Sequence, residues 1–177
     1  MSRRFLVPLA AGALALGLAC TASAQSVASD SAFMEHALAD GMAEVQMGQL
    51  ALEKSSDAQV KQLAQRIVTD HKKADRELRK LAVRKQVRLP ATPTAEAQQK
   101  VASMRQMDGA AFDRAWAAAM VRDHTKAIDM FTTESQQAKD ADVRKFAEAT
   151  TPTLRTHLEM AQKLDGGSAT SDAGMNH

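Results

Sequence analysis

Three histidines, His71, His124 and His157, each interrupt an otherwise apolar run with helical spacing, and Glu44 does the same in a fourth run. Imidazole nitrogens and a carboxylate oxygen are donors that iron, zinc, manganese and copper accept, and a Glu/His set drawn from four helices is a common way for bundles to hold such an ion. Asp40, Asp70, Asp123 and Glu134 lie on or beside the same runs, as extra ligands or as acceptors that orient the rings. A buried polar group without a partner costs about 1–3 kcal/mol, so these groups must satisfy one another or share a cation. The plainer alternative is a hydrogen-bonded layer that fixes helix register, with Asp70 and Asp123 as partners. Met47, Met120, Met130 and Met160 offer thioethers soft enough for Cu(I), although unclustered methionines at helical spacing usually serve packing. Val68, Val121 and Leu154 stand three residues before the histidines, so the Glu-x-x-His pattern of di-iron oxidases is absent. His36 and His177 fall outside the pattern.

Four helical runs must position the donors. The first, Ser31 to Lys54, carries Phe33, Ala37, Gly41, Glu44, Met47 and Ala51 at three- and four-residue steps. A capping box at Ser56-Asp57-Ala58-Gln59 opens the second, Asp57 to Gln86, whose seam is Val60, Ala64, Ile67, His71, Ala74, Leu78 and Leu81. The third, Asp108 to Lys139, holds Phe112, Trp116, Met120, His124, Ala127, Phe131 and Glu134. Asp140 caps the fourth, with Val143, Ala147, Thr150, Leu154, His157, Ala161 and Leu164 on its seam and Pro152 as a local bend. Glu44 lies 12 residues before Ser56 and His71 15 after it, while His124 lies 16 before Asp140 and His157 17 after it. All four donors therefore share one level of the bundle.

Between the second and third runs, Val87 to Gly109 contains an extended Leu89–Thr94 stretch and one short helix, Ala95 to Met107. The second helix is about 45 Å long at 1.5 Å per residue, and the connection is long enough to cross that distance. The expected fold is all-α: a ferritin-like four-helix bundle with a long connection, containing a short helix, between helices 2 and 3. Up-down-up-down order with the connection folded back is the alternative.

Residues 1–24 read as a signal peptide: Arg3 and Arg4, an apolar run from Phe5 to Ala19, and Ala22-Ser23-Ala24 before a cut at Gln25. The destination is then periplasmic or secreted, with a lipid anchor through Cys20 as the rival reading and a loose twin-arginine pattern at Ser2–Val7. Residues 25–30 form a short linker, 31–165 the bundle and 166–177 a disordered tail. Without Arg3 and Arg4 the 23 basic residues fall to 21 and equal the 21 acidic ones, which leaves no basic face for nucleic acid. Cys20 is the chain's single cysteine, so the mature chain holds no disulfide or thiolate metal site. No run after the signal is apolar enough for a transmembrane helix. With 3% aromatic residues, 8 glycines and 4 prolines, the 177-residue chain also lacks the composition of a β-sandwich or barrel.

Several stretches resemble a bacterial family of exported proteins known as domain of unknown function 4142, itself similar to ferritin-like bundles. They are Gly41-Met42-Ala43-Glu44-Val45 through Gly48, Val60-Lys61 through Asp70-His71, Leu89-Pro90, Phe112-Asp113, Asp123-His124-x-Lys126-Ala127 and Pro152-Thr153-Leu154 through His157-Leu158. The resemblance implies a helical bundle and export, and it carries no catalytic residue. Within the chain, Val68-x-Asp70-His71-x-Lys73-Ala74 recurs as Val121-x-Asp123-His124-x-Lys126-Ala127, as though the two middle helices presented equivalent Asp-His pairs. Three functions compete. One is an exported bundle that binds a transition metal in metal handling or oxidative or envelope stress. Another is a non-catalytic envelope module that meets protein partners, or a second copy as a dimer, through charged faces such as Lys72, Lys73, Arg76, Arg79 and Lys80. The weakest is an enzyme, since no nucleophile elbow, phosphate loop or cysteine motif is present.

Overall fold

A computed structural model describes residues 19–172, with side chains from Ser29 to Gly166. Residues 1–18, which carry most of the expected signal peptide, and 173–177 of the expected tail lie outside the described residues. The described residues form five helices: α1 Ala19–Lys54, α2 Ala58–Lys85, α3 Ala95–Arg105, α4 Gly109–Gln137 and α5 Ala141–Asp172. Helix α1 starts well before Ser31 and runs through the expected linker, because Ala19 to Asp30 contains neither glycine nor proline to stop it. At the other end α5 continues helical to Asp172, past the expected boundary at 165. No described helix is long and apolar enough to cross a membrane.

Local chemistry sets the boundaries. Asp57 caps α2 by accepting from the Gln59 and Val60 amides at 2.7 and 3.0 Å, so the cap is the aspartate rather than the Ser56–Gln59 box. Asp140 caps α5 in the same way, accepting from Asp142 and Val143 at 2.8 and 3.3 Å. Helix α2 ends on Gln86 in the left-handed region at φ 58°, and the next amide, Val87, donates back to the Ala82 carbonyl. Pro152 sits inside α5 on its exposed side, where its missing donor and the carbonyl it frees are least costly.

Ion pairs and caps at the two ends settle the topology. Lys54 Nζ lies 2.6 Å from Asp108, joining the end of α1 to the start of α4. Lys85 lies 2.7 Å from Asp140 and 2.8 Å from Asp142, joining the end of α2 to the start of α5. Asp30 accepts from the Lys139 and Asp140 amides, holding the lower part of α1 against the α4–α5 turn. Helices α2 and α4 are therefore parallel, and the connection from Gln86 to Asp108 crosses the length of the bundle. Folded-back order is excluded. Helices α1 and α2 form one hairpin and α4 and α5 another, with α2 beside α5 and α1 beside α4. Helix α3 lies across α1 and α4, pinned by Lys100 to Asp123 at 2.8 and 2.9 Å.

Two apolar clusters fill the interior above and below the mid-level. One gathers Met47, Leu50, Leu63, Ile67, Phe112, Trp116 and Met120, with Val101 and Met104 of α3 added from outside. The other gathers Phe33, Met34, Leu38, Leu78, Leu81, Phe131, Val143 and Leu154. The Trp116 indole donates to the Met47 carbonyl at 3.0 Å, which satisfies its one polar atom inside the core.

Two expectations follow. A Cβ at Gly48 would lie 2.7 Å from Val68 Cγ2 and 3.1 Å from the Ala64 carbonyl oxygen, so this glycine sets the closeness of α1 and α2. Gly48→Ala should lose about 1–2 kcal/mol in thermal unfolding despite its better helix propensity, and Val68→Ala in the same chain should recover part of the loss. Near the Asp30 end, burial followed by the charge and hydrogen bond of Asp30 raises the Glu134 carboxyl to about 7. Folded Glu134 thus keeps a proton that the unfolded chain releases from pH 4.5, and stability falls as pH rises from 4.5 to 7. Glu134→Gln should be more stable than the parent at pH 8 by about 1 kcal/mol, discounted for screening, with the gap closing below pH 5 in melts across that range.

Candidate metal centre

The helical seams turn one polar side chain from each long helix inward at mid-height. Glu44, His124 and His157 are buried and His71 nearly so. Glu44 Oε2 lies 3.1 Å from His71 Nε2 and 3.2 Å from His124 Nε2, and His124 Nε2 lies 3.2 Å from His157 Nδ1. One nitrogen from each of the three rings falls within 4.8 Å of the other two. Four donors from four helices, predicted from the seams alone, are brought together.

The outer ring nitrogens fix which inner ones are bare. His124 Nδ1 lies 2.9 Å from the Met120 carbonyl oxygen, which only accepts, so the proton sits on Nδ1. His157 Nε2 donates to Asp70 Oδ2 at 3.0 Å. In the neutral rings, His124 Nε2 and His157 Nδ1 then both present lone pairs across 3.2 Å. A proton can satisfy one such contact. It leaves Glu44 Oε2 and His71 Nε2, which are close but not aligned as a hydrogen bond and so stand as buried polar atoms without a partner.

A single cation placed between them would satisfy all four. Nitrogen and oxygen donors gripping one ion tetrahedrally, with bonds of about 2.0–2.1 Å, lie about 3.3 Å from one another. Three of the six separations, 3.1, 3.2 and 3.2 Å, are close to that edge, and the three ring nitrogens lie within 4.8 Å of one another. The outer partners, a backbone carbonyl on His124 and a carboxylate on His157, are the acceptors that hold metal-binding imidazoles in place.

Charge is balanced within the cluster. Burial would raise the Glu44 carboxyl, but the His124 and His71 charges outweigh it and bring it down to about 2. Burial alone would lower His71, and the Glu44 carboxylate overcomes this and raises it. His157 is lowered to about 4, chiefly by burial, against the opposing hydrogen bond to Asp70. Asp40 and Asp75 are both raised, in each case first by burial.

The surrounding acids take varied places. Asp70 orients a ring, but that of His157 on α5 rather than its neighbour His71. Asp123 does not orient His124; it is bound to Lys100 and anchors α3. The repeated Asp-His segments therefore play unlike roles. Glu134 stands beside Asp30, about 15 Å along α4 from His124 at 1.5 Å per residue, away from the centre. Asp40, one turn before Glu44, lines a cavity of about 250 Å³ between α1, α3 and α4, together with Met47 and Met130. Sequence reasoning placed Gly41 on the seam but missed its role and missed Asp75. A Cβ at Gly41 would sit 2.5 Å from Asp75 Oδ1, so the glycine admits that carboxylate beside His71. The signal was a glycine on the seam one turn from Glu44, facing an aspartate one turn after His71.

Fold and cluster together define an all-α crossover bundle with an imidazole–carboxylate centre shared by its two hairpins. The chain belongs to the family described as Domain of unknown function (DUF4142), whose model matches residues 16–164. Its fold is similar to the crystal structure of a DUF305 fragment from Deinococcus radiodurans, with a TM-score of 0.69 and 18% identity over 78% of this chain and 95% of that chain. At that identity the likeness speaks to the fold alone. No curated protein matches the chain.

In chelator-treated protein, the His157 ring should stay neutral at pH 5 with its proton on Nε2, as read from its nitrogen shifts. Because the unfolded ring takes a proton at 6.5 and the folded one at about 4, stability should fall by about 3 kcal/mol as pH drops through that window. His157→Gln should remove that slope. A ring titrating near pH 6.5 in the native protein would contradict the geometry.

Proposed function

We propose that this chain is an exported, non-catalytic bundle that holds one transition-metal ion through Glu44, His71, His124 and His157, in metal handling or in defence against oxidative or envelope stress. The observation that carries the reading is the set of inward donor atoms from four helices, two of them buried without an aligned hydrogen bond, in successive contacts of 3.1–3.2 Å. A purely structural polar layer accounts for the outer hydrogen bonds of His124 and His157 and for the Glu44–His71 pair at 3.1 Å, but leaves His124 Nε2 and His157 Nδ1 facing each other at 3.2 Å. Three imidazoles and one carboxylate suit zinc, iron, manganese or copper. Four protein donors fill a tetrahedral shell, which fits holding an ion better than turning over a substrate. The apolar run and small-residue cut site before Gln25 support export.

Mass spectrometry of the untagged protein should find about one equivalent of metal. Adding zinc at 100 times its dissociation constant should stabilise the metal-free chain by about 2.7 kcal/mol, or roughly 5–11 °C in melting temperature. His124→Ala and His157→Ala should abolish both signals. An unmoved melting curve with zinc, iron, manganese and copper alike would reject the centre.

A further inference from the structure

The centre borders two spaces of different character. On one side is a chamber of about 40 Å³, walled by Leu78, Phe131, Phe146 and Leu154 and by Asp40, Asp70 and Asp75, beside Glu44, His71 and His157. On the other is the cavity of about 250 Å³ under the start of α3, which Glu44 lines but no histidine does. By a measure in which one water needs about 10–15 Å³, the chamber takes two to four waters, whereas the cavity takes an ion with its whole hydration shell. The cavity's outer wall carries exposed Asp40, Glu96 and Lys126, and its inner wall carries buried Met47 and Glu44. Lys100 and Asp123 neutralise each other in their ion pair. The remaining side chains, Asp40, Glu96 and Glu44 against Lys126, give the cavity a negative balance.

We propose that the cavity between α1, α3 and α4 is the route by which a hydrated divalent cation reaches the centre, held first at Asp40 and then passed to Glu44. Asp40 and Glu44 are four residues apart and so lie on one face of α1. Glu44 is 6% exposed, and its Oε2 has no hydrogen-bond partner; its carboxylate is the one donor of the centre that also borders the cavity. Acidic walls of low dielectric concentrate cations and speed their arrival, and carboxylates exchange the waters of an incoming ion stepwise. The chamber is acidic too, since Asp40, Asp70 and Asp75 line it beside Glu44, so the two spaces differ in room: the chamber is too small for an ion that keeps its hydration shell, and the cavity is not. Helix α3 is then the outer wall of the passage, and the Lys100–Asp123 pair holds that wall at a fixed distance from α4.

The route rests on the metal-binding reading, and the test separates the two. Cobalt(II) is mixed with the untagged, metal-free chain in a stopped-flow instrument, and its visible absorption bands report both rate and final coordination. Asp40→Asn should slow uptake about threefold to tenfold while the final spectrum and stoichiometry match the parent. Ala97→Phe, which fills the cavity from α3, should also slow it. Thr150→Phe, which fills the chamber from α5, should leave the rate unchanged. Asp40 lines both spaces, so the filling variants decide between them: a parent-like rate in Ala97→Phe, or slowing in Thr150→Phe without slowing in Ala97→Phe, would overturn the route and leave the centre standing. A parent chain that binds no cobalt would remove both.

Discussion

The arrangement depends on a constraint of burial: polar atoms taken out of water must find partners, and four helices each bring one to the same point. Apolar clusters above and below hold that level away from bulk water, so the imidazoles and the carboxylate answer chiefly to one another. The outer ring nitrogens of His124 and His157 are satisfied by a carbonyl and a carboxylate. That leaves inner lone pairs and a carboxylate facing a common space. Opposed lone pairs at this range are unfavourable in a low dielectric unless positive charge lies between them.

Helix packing delivers the donors without distortion. Each occupies a seam position that would otherwise hold a leucine or alanine, so the bundle gives up one layer of apolar contact and keeps two. Glycines at 41 and 48 bring α1 close to α2, and the crossover lets α2 and α4 run in parallel while α3 covers the α1–α4 groove. A short returning loop would leave that groove open. The connection therefore contributes walls as well as continuity.

Much of this was legible in the sequence, since a period of 3.6 residues states which side chains face inward and residue counts from the turns state their height. Glu44, His71, His124 and His157 were found that way. What periodicity does not encode is the lateral offset of one helix against the next, and the second set of partners depends on it. Asp70 precedes His71 in the chain, yet α2 is rotated so that the aspartate reaches across to α5. Asp123 precedes His124 and is drawn to a lysine on the connecting helix, whose path the sequence left open between two topologies. Glu134 sits on the correct seam, but too far along it to reach the centre. The acceptor for His124 is a backbone carbonyl, present on every helix and so invisible as a motif. The start of α1 was misplaced because polar small residues before Ser31 read as linker, although nothing among them breaks a helix.

The hairpins divide the four donors evenly, two from α1 and α2, two from α4 and α5, and the hairpins meet each other less intimately than the helices within each. An ion gripped at this level would act as a rivet through the weakest seam of the molecule. Loaded and unloaded chains would then differ most in how readily the two halves breathe apart, so protection of mid-helix amides from solvent exchange would report on the state of the centre.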